Sequence, residues 1–363
     1  MHYIRFLKSP KNIRDSRGNH VLSAVITITT DLGDSFLYSD MPLFVELEDT
    51  NGNRLVDGGH AKEYTWTGSD GFKGLPVEVP IGKQTIHAGG EIKMVVRAKG
   101  ERRRAESFDH VLGNRPKSAE DDGSVVTLRG SAKASGMVER VFQYGDGQKI
   151  QIWEEAGESI ARHIWDAGLV LSAYLSFVGK ALPTSRPLPQ LPALQTILAK
   201  PDLNILELGA GCGIVGITLR QLLPKISQMI LTDLPEATSI LTHNISLCSP
   251  APSHSVIDWS APLPPSIASM QWNLILVADC TYNPDVVPDL VKTLGRLADG
   301  NKDLMVLLAM KVRHESEAVF FTLMNEEGWE IKESIKVPLL VLGGEDEEIE
   351  IFVFGIAVEN LLM

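Results

Sequence analysis

The sequence predicts an α/β chain: a seven-stranded, doubly wound parallel sheet in the C-terminal part, preceded by a smaller β-rich domain. Three observations carry this expectation. Short β-branched runs punctuated by glycine and asparagine turns fill the first part of the chain. From Ser159 the apolar period becomes helical, and strands then alternate with helices. An apolar strand also runs straight into three alternating glycines that open a helix, at Ile205-Leu206-Glu207-Leu208-Gly209-Ala210-Gly211-Cys212-Gly213-Ile214. A single boundary is expected after residue 153, dividing the chain into 1–153 and 154–363.

In chain order, the expected strands of the first part are 21–30, 41–48, 75–79, 92–96, 125–128, 141–144 and 149–153. Asn51-Gly52-Asn53, Asp57-Gly58-Gly59, Gly89-Gly90 and Gly145-Asp146-Gly147 supply the turns between them, the pattern of a small antiparallel sandwich or barrel. The stretch 100–123, with Arg102-Arg103-Arg104 and Glu120-Asp121-Asp122, reads as a solvated charged loop. Ile160, Ile164, Leu169, Leu171, Tyr174 and Leu175 then mark one helix face, interrupted by Gly168. The proline-rich stretch 182–189 cannot continue that helix. After it, strands 204–208, 229–232, 272–278 and 304–310 alternate with helices 213–223, 237–247, 286–297 and 314–325, and a third strand ends near Ile257. Segments 329–336 and 350–356 close the sheet as an antiparallel hairpin, with Gly343-Gly344-Glu345-Asp346-Glu347-Glu348 as its acidic turn.

Composition narrows the function classes. At 363 residues two domains are expected, and 44% apolar with 22% charged residues is ordinary for a buried core. No uninterrupted apolar run is long enough to span a bilayer, and the N-terminus lacks the apolar block of a secretory signal. Cys212, Cys248 and Cys280 show neither metal-ligand spacing nor a disulfide framework, and the histidines are scattered, so no metal is expected. The cytosol or nucleus is the expected location. A net charge of −12 argues against a nucleic-acid partner and suits a cationic substrate, such as a lysine-bearing protein surface.

The glycine run is the strongest chemical signal. Glycines let the backbone turn sharply and approach a ligand with no Cβ in the way. Ile230-Leu231-Thr232-Asp233 is a second strand ending in an acid, placed to accept from both hydroxyls of a ribose. Gly211-x-Gly213-x-x-Gly216 also satisfies a dinucleotide fingerprint, so the glycines alone do not choose the ligand. Glu207 separates the readings: a carboxylate beside the turn repels a pyrophosphate but suits the amino group and sulfonium of S-adenosylmethionine. Asp258 and Trp259, at the end of the third strand, offer an acceptor for an adenine amino group and an aromatic face; packing alone is the plainer reading of Trp259. Ala278-Asp279-Cys280-Thr281-Tyr282 closes the fourth strand, where open α/β sheets present catalytic groups.

These blocks, with Ile164-Trp165-Asp166-Ala167-Gly168 and Met310-Lys311-Val312-Arg313-His314-Glu315, resemble methyltransferase-like family 21 (methyltransferase family 16), mostly protein-lysine methyltransferases, from about residue 164 to 356. The resemblance implies a Rossmann-like class I domain using S-adenosylmethionine. It further implies that Trp165, Gly209, Gly211, Asp233, Trp259 and Ala278 line the cofactor, with Ala210 and Gly213 in the same turn, and that Asp279 and Tyr282 face the lysine. The smaller members of that family lack the large β-rich N-terminal part, and its expected role is to recognise a partner or substrate protein. Chaperone- or translation-type proteins, or basic ones, are the expected substrates.

A neutral lysine amine would attack the methyl group, with Asp279 orienting it or taking its proton and Tyr282 adding an aromatic wall and a hydroxyl. The plain alternative makes Asp279 a helix cap and Tyr282 packing. Lys311 and Arg313 read equally as holders of an acidic group or as a solvated strand end. Two rival functions stand beside this one: methylation of a small amine or nicotinamide-type base, and a binding module on a non-catalytic scaffold.

Overall fold

The computed structural model describes residues 1–363 apart from 56–60, 71–73, 89, 101–102, 114–124, 134–135, 158–159, 180–187, 343–346 and 358–363. Arg102, the acidic run Glu120-Asp121-Asp122, most of the proline-rich connector and most of the acidic turn at 343–348 therefore lie outside the described residues. The chain divides into two compact units. One is Met1–Gln143, Gln148–Ile160 and Leu340–Glu347; the other is Tyr144–Gly147, Ala161–Leu339 and Glu348–Met363. The sequence reading placed one cut after residue 153, whereas the units interleave.

The first unit is built from β1 (His2–Arg14), β2 (His20–Thr29), β3 (Met41–Glu48), β4 (Lys62–Trp66), β5 (Leu75–Pro80), β6 (Lys93–Ala98), β7 (Val125–Val126), β8 (Leu128–Ser131), β9 (Met137–Tyr144) and β10 (Gln148–Glu155). Two short helices accompany them, α1 (Lys83–Ala88) and α2 (Phe108–Val111). The strands form two sheets, in the orders β5-β2-β1-β7 and β10-β9-β8-β6-β3-β4. Ile4, Phe6, Leu22, Ile26 and Ile28 of the first sheet share a core with Leu43, Val45, Leu47, Met94 and Val96 of the second, as in a sandwich. The pairing of β1 with β7 is parallel, with His2 across from Val125 and Tyr3 across from Val126.

The longest strand, β1, is missing from the sequence expectation. Its apolar alternation is interrupted by Lys8, Pro10 and Lys11, and the register shifts between Phe6 and Lys8 and again between Lys8 and Lys11. Pairing still holds because Asp15 closes the following turn, accepting from the backbone N–H groups of Arg17 and Asn19 at 2.9 and 2.8 Å. The arginine-rich loop is also less solvated than expected at one point, since Arg104 Nε donates to the Ala98 carbonyl at 2.7 Å.

The second unit starts with α3 (Asp166–Val178) and α4 (Pro192–Leu198), then alternates: β11 (Asn204–Leu208), α5 (Ile214–Leu222), β12 (Gln228–Asp233), α6 (Thr238–Ser246), β13 (Ser253–Val256), α7 (Pro265–Ala268), β14 (Leu274–Ala278), α8 (Val287–Ala298), β15 (Met305–Met310) and α9 (Val319–Glu326). It ends with β16 (Trp329–Leu339) and β17 (Glu347–Ile356). The seven strands lie in the order β13-β12-β11-β14-β15-β17-β16. The first five run parallel, and β17 runs antiparallel to β15. Central strands buried on both faces read as continuous apolar runs, which is why they were legible. Leu206, Val277 and Leu308 from the sheet pack with Leu290 and Leu294 of α8 and Phe320 of α9. Strand order reverses between β11 and β14, so the carboxyl ends of these strands border the crevice where such sheets bind ligands.

Candidate active site

The glycine turn follows β11 with a backbone that side chains resist. Gly209, Gly211 and Gly213 have φ of +66°, +55° and +80°. A Cβ on Gly209 would lie 2.5 Å from Cys280 Sγ, and one on Gly213 would lie 2.6 Å from Leu241. Gly213 caps α5, and the Ala210 N–H donates to the Thr232 carbonyl at 2.9 Å, joining the turn to β12. At the end of β12, Asp233 accepts from the Gly211 N–H at 2.7 Å and from its neighbour Leu234 at 2.7 Å. Burial raises its pKa against those bonds. Each oxygen keeps a second lone pair, so the carboxylate can still serve a ribose.

Glu207 makes a bond within the protein that the sequence did not suggest. It is 2% exposed, and Oε2 accepts from the Gly216 N–H at 2.9 Å, bracing the first turns of α5. Burial pushes its carboxyl up to about 8, with the Gly216 bond pulling the other way and Asp233 adding to the rise. A buried carboxyl with a raised pKa makes a weaker charge argument against a pyrophosphate than the sequence suggests. Asp258 is exposed, and its Oδ1 accepts from the Ser260 N–H and hydroxyl at 2.9 and 2.7 Å, folding its own turn.

Trp259 is half-buried, with its ring 3.3 Å from the position a Gly209 Cβ would take. Its carbonyl accepts from Arg296 Nη2 at 2.7 Å, so α8 holds the backbone that carries the ring. Ala278 is half-buried at the end of β14. Trp165 stands at the N-terminal cap of α3 with the Arg313 guanidinium 5.7 Å above its ring. The structure thus brings the predicted glycines, Asp233, Trp259 and Ala278 to neighbouring strand ends.

Asp279 has φ of +55°, a left-handed conformation that aspartate tolerates better than most residues. It is not the cap of α8, whose N-cap is Val286. Its Oδ1 accepts from Arg313 Nη1 at 2.7 Å and the Lys311 N–H at 3.4 Å. Its Oδ2 accepts from Arg313 Nη2 at 3.1 Å and the Ala167 N–H at 3.2 Å. Four donors on one carboxylate leave it poorly placed to take a proton from an incoming amine. Tyr282, three residues on, is 46% exposed. Burial raises its phenol pKa, and the charges of Asp233, Glu236 and Asp279 add to the rise.

Sequence reasoning left Lys311 and Arg313 undecided and missed the buried acids that they meet in this corner. Asp166 is fully buried at the first turn of α3 and accepts from Lys311 Nζ at 2.9 Å. Burial alone would raise its pKa, but facing cations, Lys311 among them, bring it to about 2. Glu317 is buried as well and accepts from the Arg313 N–H at 2.9 Å. The available signal was the alternation Lys311-x-Arg313 directly after β15, which places two cations on one side of an extended segment.

Fold and site together define a class: a Rossmann-like methyltransferase whose methyl donor is S-adenosylmethionine. Residues 145–327 match the family model for lysine methyltransferases, and the chain belongs to that family. It is 31% identical over 182 residues to mouse protein N-lysine methyltransferase METTL21A, covering 49% of this chain and 72% of that protein. It is 28% identical over 224 residues to EEF1A lysine methyltransferase 3 of Xenopus tropicalis, covering 57% and 80%. Likeness beyond the catalytic unit is found in UPF0665 family protein C23C4.06c of Schizosaccharomyces pombe, 26% identical over 339 residues, 90% of this chain and 93% of that one.

Proposed function

We propose that this chain methylates the side-chain amine of a lysine on a non-histone protein, in the cytosol or nucleus. The observation that carries the reading is the half-exposed Tyr282 three residues beyond Asp279 at the end of β14, the strand that pairs with β11 ahead of the glycine turn. The overall charge of −12 favours a basic partner surface. Its relatives are named for acting on protein lysines, which supports the same substrate class.

S-adenosylmethionine, when bound, supplies an electrophilic methyl group on a cationic sulfur. The residues present fit it: the positive-φ turn presents backbone rather than side chains, and Asp233 retains acceptor capacity for a ribose. Gly209, Ala210, Gly211, Gly213 and Asp233 would hold it, with Trp165, Trp259 and Ala278 as walls. Lysine has an ordinary pKa of about 10.4, so the amine must shed a proton before it can attack. Asp279 is saturated by its donors, which leaves it an orienting charge for the incoming amine. The Tyr282 oxygen can accept a hydrogen bond from that amine, and its exposure lets the proton leave to water. The β-rich unit is proposed to select the protein presented.

The test is transfer of labelled methyl from S-adenosylmethionine to lysate proteins by wild type and Asp279→Asn, with the site located by mass spectrometry. A labelled lysine seen only with wild type is the expected result. Label in nicotinamide or small amines, with none in protein, would transfer the assignment to the small-molecule reading. Calorimetry with S-adenosylhomocysteine separates failure of the substrate assignment from failure of the cofactor site.

A further inference from the structure

The first unit holds a cavity of about 180 Å³ that the methyltransferase reaction does not use. Its polar wall begins with β1 and β2, where Arg5 lies directly across from Thr27, and Thr29 is two residues farther along the same face. Arg140 of β9 completes that wall. Thr27 and Thr29 are 3% exposed and Arg140 is 1% exposed, yet both hydroxyls and Arg140 Nη2 make no hydrogen bond among the described residues. Arg5 Nε is equally unsatisfied. Buried polar groups are rarely left in this state, because each costs roughly 1–3 kcal/mol when unpaired.

The remaining bonds of these arginines fix their positions. Arg140 Nε donates to Glu154 at 2.7 Å, and its Nη1 donates to the Thr127 carbonyl at 2.8 Å. Arg5 Nη2 donates to the Asp31 carbonyl at 2.9 Å. Both guanidinium groups lie within 6 Å of the Tyr3 ring, at 5.3 and 5.9 Å. Burial and the charge of Arg5 both act against the Arg140 cation, with Glu154 acting in its favour. Four rigidly placed atoms that can donate, with no acceptor supplied, call for an acceptor ligand.

We propose that this cavity binds a carboxylate carried on a short apolar body. A single negative charge fits better than a dianion, because Glu154 and the half-buried Glu155 also line the wall. Phe6, Phe36 and Val138 supply the apolar side. The volume is below the roughly 300–1,000 Å³ of drug-sized pockets, so the ligand is a small acid or the end of a peptide.

The experiment uses the full chain and four probes: butyrate, butyramide, inorganic phosphate, and a tetrapeptide with a C-terminal leucine carboxylate. Binding is read by calorimetry and by thermal shift, in wild type and in the Thr27→Val/Thr29→Val double variant. Valine keeps the side-chain shape and favours strand, so the variant folds. Saturable binding of butyrate or the peptide, at least about tenfold weaker in the variant and for butyramide, supports the site. Tighter peptide binding identifies a chain terminus as the source, and tighter butyrate binding identifies a free acid. No saturable binding, equal binding of butyramide, preference for phosphate, or unchanged affinity in the variant would overturn the proposal. Arg5→Gln gives an independent check: it should lose carboxylate binding, and retained affinity would count against the assignment.

Discussion

Asp166 and Glu207 are both deeply buried carboxyls of the catalytic unit, and their environments drive them in opposite directions. Asp166 has the Lys311 ammonium at 2.9 Å and is held down to about 2. Glu207 has a backbone N–H from Gly216 as its hydrogen-bond partner and is pushed up to about 8. Burial opposes the charge in both; facing cations, Lys311 among them, reverse the outcome in one. The difference teaches that Asp166 works as a fixed negative charge beneath the acceptor corner, whereas Glu207 works as a hydrogen-bonding brace under the cofactor turn.

The largest effect should come from breaking the ionic side of this comparison. Lys311→Met removes one of the cations that face the buried Asp166 and should cost about 1.5–3 kcal/mol of unfolding free energy in urea titration. A loss under about 1 kcal/mol would show that the pair is not what holds Asp166 ionised. Next, Asp233→Ala should weaken S-adenosylhomocysteine binding by about 100-fold or more in calorimetry, since charge-assisted bonds to a ribose are worth about 1.5–3 kcal/mol each. Asp279→Asn keeps the shape but removes the charge facing Arg313. It should lower the methyl-transfer rate by about 100-fold while cofactor affinity stays within a fewfold. Equal losses in both measurements would make Asp279 part of the cofactor mouth instead.

The smallest effect belongs to the neutral acid. Glu207→Gln should change stability near pH 4 by less than about 1 kcal/mol, because the carboxyl is then mostly protonated in both folded and unfolded chains, and the variant should become the more stable of the two as pH rises toward 7. The pH profiles of the two acids differ in sign. Glu207 has a folded pKa above its unfolded value, so its contribution is complete below about 4.5 and is lost as pH rises toward about 8. Asp166 has a depressed pKa, so its contribution is present above about 3.8 and is lost as pH falls toward about 2. Unfolding titrations across pH should show both arms in wild type. The Gln variant should flatten the upper arm alone.

Legibility followed burial pattern. The catalytic sheet could be read because β11, β14 and β15 are apolar on both faces and therefore stand out as runs. The glycine turn could be read because three positive-φ positions in five residues demand glycine. β1 was hidden by Lys8, Pro10 and Lys11, which sit where its register slips. The cavity of the first unit was hidden because Arg5, Thr27 and Arg140 come from three strands and carry no spacing signal. Lys311 and Arg313 were left undecided for the same reason: their partners, Asp166 and Asp279, lie 145 and 34 residues away.

The sequence by itself determined the order of elements, the glycine turn at the end of β11, and the acid that closes β12, because each depends on local backbone freedom or periodicity. Tertiary structure alone decided the charge states and tasks of the acids. Asp279 meets four donors from two separated segments, 311–313 and the start of α3, and Glu207 meets the start of a helix in place of open solvent. Distance, burial and the identity of a remote partner set those outcomes, and none of the three is written in neighbouring residues.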